Sequence, residues 1–304
     1  MKRLLLPFLL LAPFLGFSQQ EARYAQFHAN KLAFNPAYAG SRDAVSGTLL
    51  FRQQWAGLDQ APRTLTAALH APLRNRRIGL GVQLVHDRLG EQTSNGIYTT
   101  YAYRLPVGKG FLATGVQAGL VQMQFALEET NPLDAGDPLL NSPWNHWLPN
   151  AGAGVYWNDE HSYAGISVPQ LLRVRLSPSG EARTQRHVYA TAGRAVRLGP
   201  LAQLRTQVLL QFVNGAPWQG QVDANVLLAD RFWTGAGYRT VDHALLVHAG
   251  VQLPGEWRLG YSYDYTFGSF GPFANDSHEL TLAFDLPLSA PRFASPRSMS
   301  PRLF

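Results

Sequence analysis

Glu256-Trp257-Arg258-Leu259-Gly260-Tyr261-Ser262-Tyr263-Asp264-Tyr265-Thr266-Phe267 is the stretch on which the fold turns. Trp257, Leu259, Tyr261, Tyr263, Tyr265 and Phe267 occupy one set of alternate positions; Arg258, Gly260, Ser262, Asp264 and Thr266 occupy the other. Successive side chains of a strand point to opposite faces, so this is a strand with one apolar, aromatic face and one polar or small face.

The same two-residue period runs outward through the chain. Leu280, Leu282, Phe284, Leu286 and Leu288 alternate with Glu279, Thr281, Ala283 and Asp285. Leu204, Thr206, Val208, Leu210 and Phe212 alternate with Gln203, Arg205, Gln207 and Gln211, and Val222, Ala224, Val226 and Leu228 with Gln221, Asp223 and Asn225. Every such run together predicts about fourteen strands, near 44–54, 63–72, 76–88, 95–105, 110–124, 148–158, 161–169, 185–196, 201–213, 217–229, 231–240, 243–253, 256–267 and 277–288. An even number of antiparallel strands of about 10 residues suits a transmembrane barrel, in which closure leaves no backbone polar group facing lipid.

The connections carry a second signal. Those after even-numbered strands are short (73–75, 158–160, 197–200, Asp230, 254–255), whereas 125–147, 170–184 and 268–276 after odd-numbered ones are long; three other odd-side connections are short, so the pattern is a bias and not a strict alternation. Short turns at one end and longer loops at the other are the outer-membrane asymmetry. A soluble sandwich or jelly roll also alternates. Against it stand the strand number, the aromatic residues near strand ends, and a second face rich in Gly, Gln, Thr and Arg that would make a poor dry core.

Composition agrees. The chain has 304 residues, only 15% charged, with 28 Gly, 12% aromatic and no Cys, and a mean hydropathy of −0.13. Absent cysteine excludes a disulfide scaffold and a thiolate metal site. Beyond the N-terminus no apolar run approaches the roughly 20 residues of a membrane helix. Met1-Lys2-Arg3, the apolar stretch from Leu4 to Phe17 and the small residues Gly16 and Ser18 read as a signal peptide, 1–18, cut before Gln19. Its removal lowers the formal charge of +6 by two, and Arg292, Arg297 and Arg302 sit in a Pro/Ser-rich tail, 289–304. The body is therefore near neutral, and the sequence pI of 9.7 does not mark a nucleic-acid binder.

Searches for chemistry return little. The nine His residues include no HExxH. Gly260-Tyr261-Ser262-Tyr263-Asp264 lacks the second Gly of a nucleophile elbow. Gly79-Leu80-Gly81, Gly152-Ala153-Gly154 and Gly235-Ala236-Gly237 are not followed by helices, and read as strand glycines lining a crowded lumen. Glu128, Glu129, Asp134 and Asp137 lack Ca²⁺-loop spacing. No catalytic residue, cofactor or metal is expected.

Leu32-Ala33-Phe34-Asn35-Pro36-Ala37-Tyr38-Ala39-Gly40, then Phe51-Arg52-Gln53-Gln54-Trp55-Ala56-Gly57 through Ala61-Pro62-Arg63-Thr64, resemble the NPAxAG and RxQWxGxxxAPxT signatures of the PorP/SprF family of type IX secretion system outer-membrane proteins. Gly79-Leu80-Gly81 to Asp87 and Gly90, Pro149 to Tyr156, and Tyr163-Ala164-Gly165-Ile166-Ser167-Val168-Pro169-Gln170-Leu171 extend the likeness. So do Trp233 to Arg239, Leu259 to Tyr265 and Ser277-His278-Glu279, over about residues 24–288. Trp157 stands where the family's PxxGxGxYY element has its second Tyr.

The resemblance implies a non-enzymatic barrel, exported to a Bacteroidota outer membrane. Such a barrel supports secretion and surface anchoring of cargo with a C-terminal sorting domain, gliding adhesins among them, and is linked to periplasmic peptidoglycan-associated components. On this reading residues 19–43 form a periplasmic or plug-like segment and 44–288 the barrel. Asn35, Pro36, Gly40, Arg52, Gln54, Trp55, Arg258 and Asp264 are its structural and lumen residues, and Trp144, Trp147, Phe270 and Phe273 are loop anchors for partners. An outer-membrane porin or small-molecule transporter is the alternative.

Overall fold

Residues alternating between apolar and polar along one strand need an apolar medium on one side and a polar interior on the other. A sheet that closes on itself supplies both and leaves no unpaired edge. The computed structural model, which describes residues 22–74, 76–125, 144–175, 183–267 and 276–288, has this architecture. Its strands are β1 (Ala44–Gln53), β2 (Arg63–Pro72), β3 (Ile78–Leu89), β4 (Gln92–Val107), β5 (Gly110–Phe125), β6 (Trp144–Asn158) and β7 (Ser162–Val168). They continue as β8 (His187–Arg197), β9 (Ala202–Val213), β10 (Gln219–Leu228), β11 (Phe232–Arg239), β12 (Ala244–Leu253), β13 (Trp257–Thr266) and β14 (Asp276–Pro287). Each pairs antiparallel with its chain neighbours, and β14 returns to β1 to close the barrel of fourteen strands. The seam runs in register from Ala44 opposite Pro287 to Gln53 opposite His278.

Burial follows the predicted parity. In β13, Trp257, Leu259, Tyr261 and Tyr265 are exposed on the outer wall, while Gly260, Ser262, Asp264 and Thr266 are buried inside. The outward apolar band carries aromatic residues near both margins. Tyr103, Phe232 and Trp257 lie toward the end that holds the short turns, and Phe212, Tyr238 and Tyr265 toward the end that holds the long loops. Aromatic girdles of this kind sit at the two membrane interfaces.

Three details depart from the sequence reading. β4 runs 16 residues, reaching back to Gln92 and on to Val107, because β5 pairs with it along its whole length. β6 begins at Trp144 instead of 148, its first residues pairing with the end of β5 (Phe125 opposite Trp144). Trp144 and Trp147 therefore belong to a strand, not to the connection where the sequence placed them. The apolar–polar period there is broken by Asn145 on the outward face and by the buried Leu148 on the inward one, and pairing with β5 extends the element. Residues 1–18, the tail 289–304, Phe270, Phe273 and the acidic stretch 128–137 lie outside the described residues.

Candidate functional site: a lumen filled by the N-terminal segment

Residues 22–43 pass through the inside of the barrel, from the loop end down to the turn end where β1 begins. Tyr24 Oη lies 2.8 Å from Thr66 Oγ1 in β2, the backbone N–H groups of Ala25 and Gln26 donate to the Glu279 carboxylate at 2.6 and 2.7 Å, and Gln221 Nε2 donates to the Ala25 carbonyl at 2.7 Å. Tyr24, Phe27 and Phe34 pack with Leu50, Tyr189 and Leu209 of the wall as one buried cluster. Phe34 meets Tyr24 and Tyr189 edge-on, with ring centres 5.7 and 5.3 Å apart.

The Asn-Pro-Ala-Tyr-Ala-Gly motif forms the lower half of this plug. Two 3₁₀ turns, Lys31–Ala33 and Pro36–Tyr38, are joined through Asn35. The Asn35 side chain caps the second turn by accepting from Ala37 N at 2.9 Å, and its amide donates to the Val155 carbonyl of β6 at 3.0 Å. Asn at the cap and Pro in the first turn satisfy or remove donors that a helix start leaves unpaired.

Room for the motif comes from wall glycines. A Cβ on Gly154 would strike Asn35, one on Gly115 would strike Ala37, and one on Gly79 would strike the Ala39 carbonyl. Gly40 is required twice over. Its φ of +72° is a left-handed conformation, and a Cβ there would lie 2.7 Å from the Gly79 Cα. Lys31 places its ammonium 4.0 Å from the Tyr163 ring centre, and Tyr38 packs edge-on against His70 and Tyr156.

Charged groups hold the plug at both ends. Toward the loop end, Arg52 pairs with Asp264 at 2.7 Å and Glu279 at 3.4 Å, Arg239 with Asp264 at 3.0 Å and Asp242 at 2.8 Å, and Arg23 with Asp242 at 3.6 Å. Toward the turn end, Arg42 pairs with Asp285 at 3.0 Å, Arg258 also reaches Asp285, and Arg104 donates to the Gly40 carbonyl at 2.6 Å and to Asp43 at 3.1 Å. Buried charges persist when each is matched and hydrogen-bonded. At the loop end burial raises the Asp242 carboxyl, and Arg239 and Arg23 outweigh it, so the group lies below the ordinary carboxylate range.

Of the residues singled out in the sequence, Arg52 and Asp264 meet directly, Arg258 serves the opposite end, and Asn35, Pro36 and Gly40 form the turn just described. Gln54 is buried just past β1, where its backbone N–H bonds the Pro62 carbonyl at 2.9 Å. Trp55, at φ +55°, donates from its backbone to Ser277 Oγ at 3.1 Å. Trp147 is 60% exposed on the outward face of β6. Missed in the sequence were Glu279, Asp285, Arg239, Arg42 and Arg104. Their common signal is a charge in or beside a strand on its inward side, legible only once partner strands are known.

A family model described as "Type IX secretion system membrane protein PorP/SprF" matches residues 16–284. No curated protein sequence matches the chain. Among solved structures, the CymD monoaromatic hydrocarbon channel is similar with a TM-score of 0.55 at 10% identity, covering 86% of this chain and 93% of that one. The Acinetobacter baumannii outer membrane protein Omp33 gives 0.50 at 8% identity, over 81% and 100%. The Ralstonia pickettii toluene transporter TbuX gives 0.50 at 9% identity, over 83% and 92%. At these identities the likeness is one of fold, that of outer-membrane barrels.

Proposed function

Because the chain belongs to the type IX secretion system PorP/SprF family and is an outer-membrane β-barrel of that system, we propose that it works as a docking scaffold instead of a conduit. Its cargo would be proteins with a C-terminal sorting domain, such as gliding adhesins, which it retains at the cell surface. The carrying observation is the lumen. A segment of the chain itself runs through it, packed against glycines of β3, β5 and β6, tied at the turn end by the Arg42–Asp285 ion pair and at the loop end by the Glu279 carboxylate and the Arg23–Asp242 pair. Fourteen strands enclose far less room than a folded adhesin needs, and this room is already used.

Cargo would meet the loop end by surface complementarity or strand addition. Periplasmic, peptidoglycan-associated components would meet the turn end. The role is non-enzymatic, and export proceeds through the signal peptide 1–18.

Two measurements test the proposal. In planar bilayers the purified barrel gives no large steady ion current, and crosslinked envelope membranes yield this protein together with a sorting-domain cargo and other secretion components. A large stable current with no such partners would overturn the scaffold reading in favour of a porin or transporter.

A further inference from the structure

A second feature of the lumen has no place in that reading. Between the plug and the wall formed by β9, β10, β11, β13 and β14 lies a chamber of about 60 Å³, set toward the turn end. Three guanidinium groups line it: Arg42 just before β1, Arg205 in the fourth position of β9, and Arg258 in the second position of β13. No carboxylate lines it among the described residues. The nearby Asp285 serves Arg42 at 3.0 Å and also Arg258. Among the described residues the Arg205 guanidinium donates to the neutral Gln203 side chain, at 3.0 Å. Three guanidinium groups thus stand on the lining; the carboxylates that act on them, Asp285 shared by Arg42 and Arg258 and Asp230 of the turn after β10 acting on Arg205, lie outside it.

Neutral donors are also left over at the same place. Asn225, 3% exposed, has neither amide atom hydrogen-bonded, and the Thr281 hydroxyl, also 3% exposed, has no partner. The Trp233 indole N–H is buried and unbonded, and so is His28 Nδ1. All four residues line the chamber. Buried polar side-chain atoms nearly always find a partner. Several orphaned ones converging beside guanidinium groups that outnumber the carboxylates near them describe a cradle for a group with several acceptor oxygens and a negative charge. Water would satisfy the donors and leave the charge unmatched.

We propose that this chamber is a binding site for an oxyanion, a carboxylate or phosphate group, held by Arg205 and Arg258 with Asn225, Trp233 and Thr281 as neutral donors. The turn end is the periplasmic side of an outer-membrane barrel, so the group is presented from the periplasm. The site is separate from the loop-end ion pairs, and it does not depend on the scaffold reading.

The full-length barrel, folded in detergent micelles, is titrated with inorganic phosphate and with acetate at constant ionic strength while tryptophan emission is followed. The wild type gives a saturable change with at least one of the two. Trp233→Phe abolishes that change, and Arg205→Gln moves its midpoint at least tenfold higher. Saturation by phosphate alone assigns a phosphate-bearing ligand; saturation by acetate as well assigns the carboxylate class. Absence of any saturable change in wild type overturns the proposal. So does an equal response to chloride, or an unmoved midpoint in Arg205→Gln. Asn225→Leu alters no charge and raises the midpoint at least threefold. It keeps the site testable if Arg205→Gln fails to give the heat-modifiable migration of a folded barrel, and an unmoved midpoint in it is equally fatal.

Discussion

Glu279→Gln changes one atom type at the point where the plug is tied to β14. The two carboxylate oxygens receive Ala25 N–H at 2.6 Å and Gln26 N–H at 2.7 Å, with Arg52 at 3.4 Å. An amide keeps one acceptor and turns the other position into a donor, so one backbone N–H is left facing an NH₂ group. Losing a hydrogen bond to a charged group costs about 1.5–3 kcal/mol. Arg52 still holds Asp264 at 2.7 Å, so the roughly 3–5 kcal/mol of a stranded buried charge does not apply. At about 1.36 kcal/mol per tenfold, local opening of the upper plug rises roughly 10- to 150-fold.

The chain has no cysteine, so Ala25→Cys introduces the only thiol, at a position with 0% exposure. Its rate of modification by a maleimide in folded barrels reads the open population. Any strain from the cysteine is shared by both backgrounds and cancels in the ratio. A rate unchanged between Ala25→Cys and Ala25→Cys/Glu279→Gln would refute the assignment of Glu279 as the tether.

Three further outcomes follow from the same contacts. Gly79→Val forces a side chain into the Ala39 carbonyl; overpacking of this kind costs about 1–3 kcal/mol, and the heat-denaturation midpoint in detergent falls while the barrel still forms. Val116, 56% exposed on the outer wall, is the seventh of the 16 residues of β5, midway between its two ends. Val116→Arg therefore costs about 2–4 kcal/mol in urea-driven refolding into lipid vesicles, and Trp147→Arg, close to the loop-end start of β6, about 0–1 kcal/mol.

The depressed Asp242 carboxyl contributes stability that is present above its unfolded value of about 3.9. That stability is lost as pH falls through the lower folded value. The difference in thermal midpoint between wild type and Asp242→Asn therefore stays level from pH 8 to 5 and closes only below about pH 4. A difference that closes near neutral pH would show that the Arg23–Asp242–Arg239 pairing does not operate.

The sequence by itself determined the barrel. Alternation such as Trp257-Leu259-Tyr261 against Arg258-Gly260-Ser262 is a local property, because successive side chains of one strand diverge whatever their neighbours do. Fourteen such runs, with the long connections all after odd-numbered strands, leave closure as the way to pair every edge. The sequence also marked Asn35-Pro36 as motif residues and read the paired glycines as lining a crowded lumen, without showing what crowds it. The tertiary structure decided what those residues are for. Gly79, Gly115 and Gly154 are far apart in the chain, and only closure brings them around the Asn35–Gly40 turn, where a Cβ would collide with it. It also decided which charges match. Arg52 meets Asp264 across 212 residues, and the Ala25 N–H meets Glu279 across 254. Parity assigns a side chain to the lumen, but register and the path of the plug choose its partner. For the same reason Arg205, an ordinary polar residue in its strand pattern, stands out only when the chamber around it is seen.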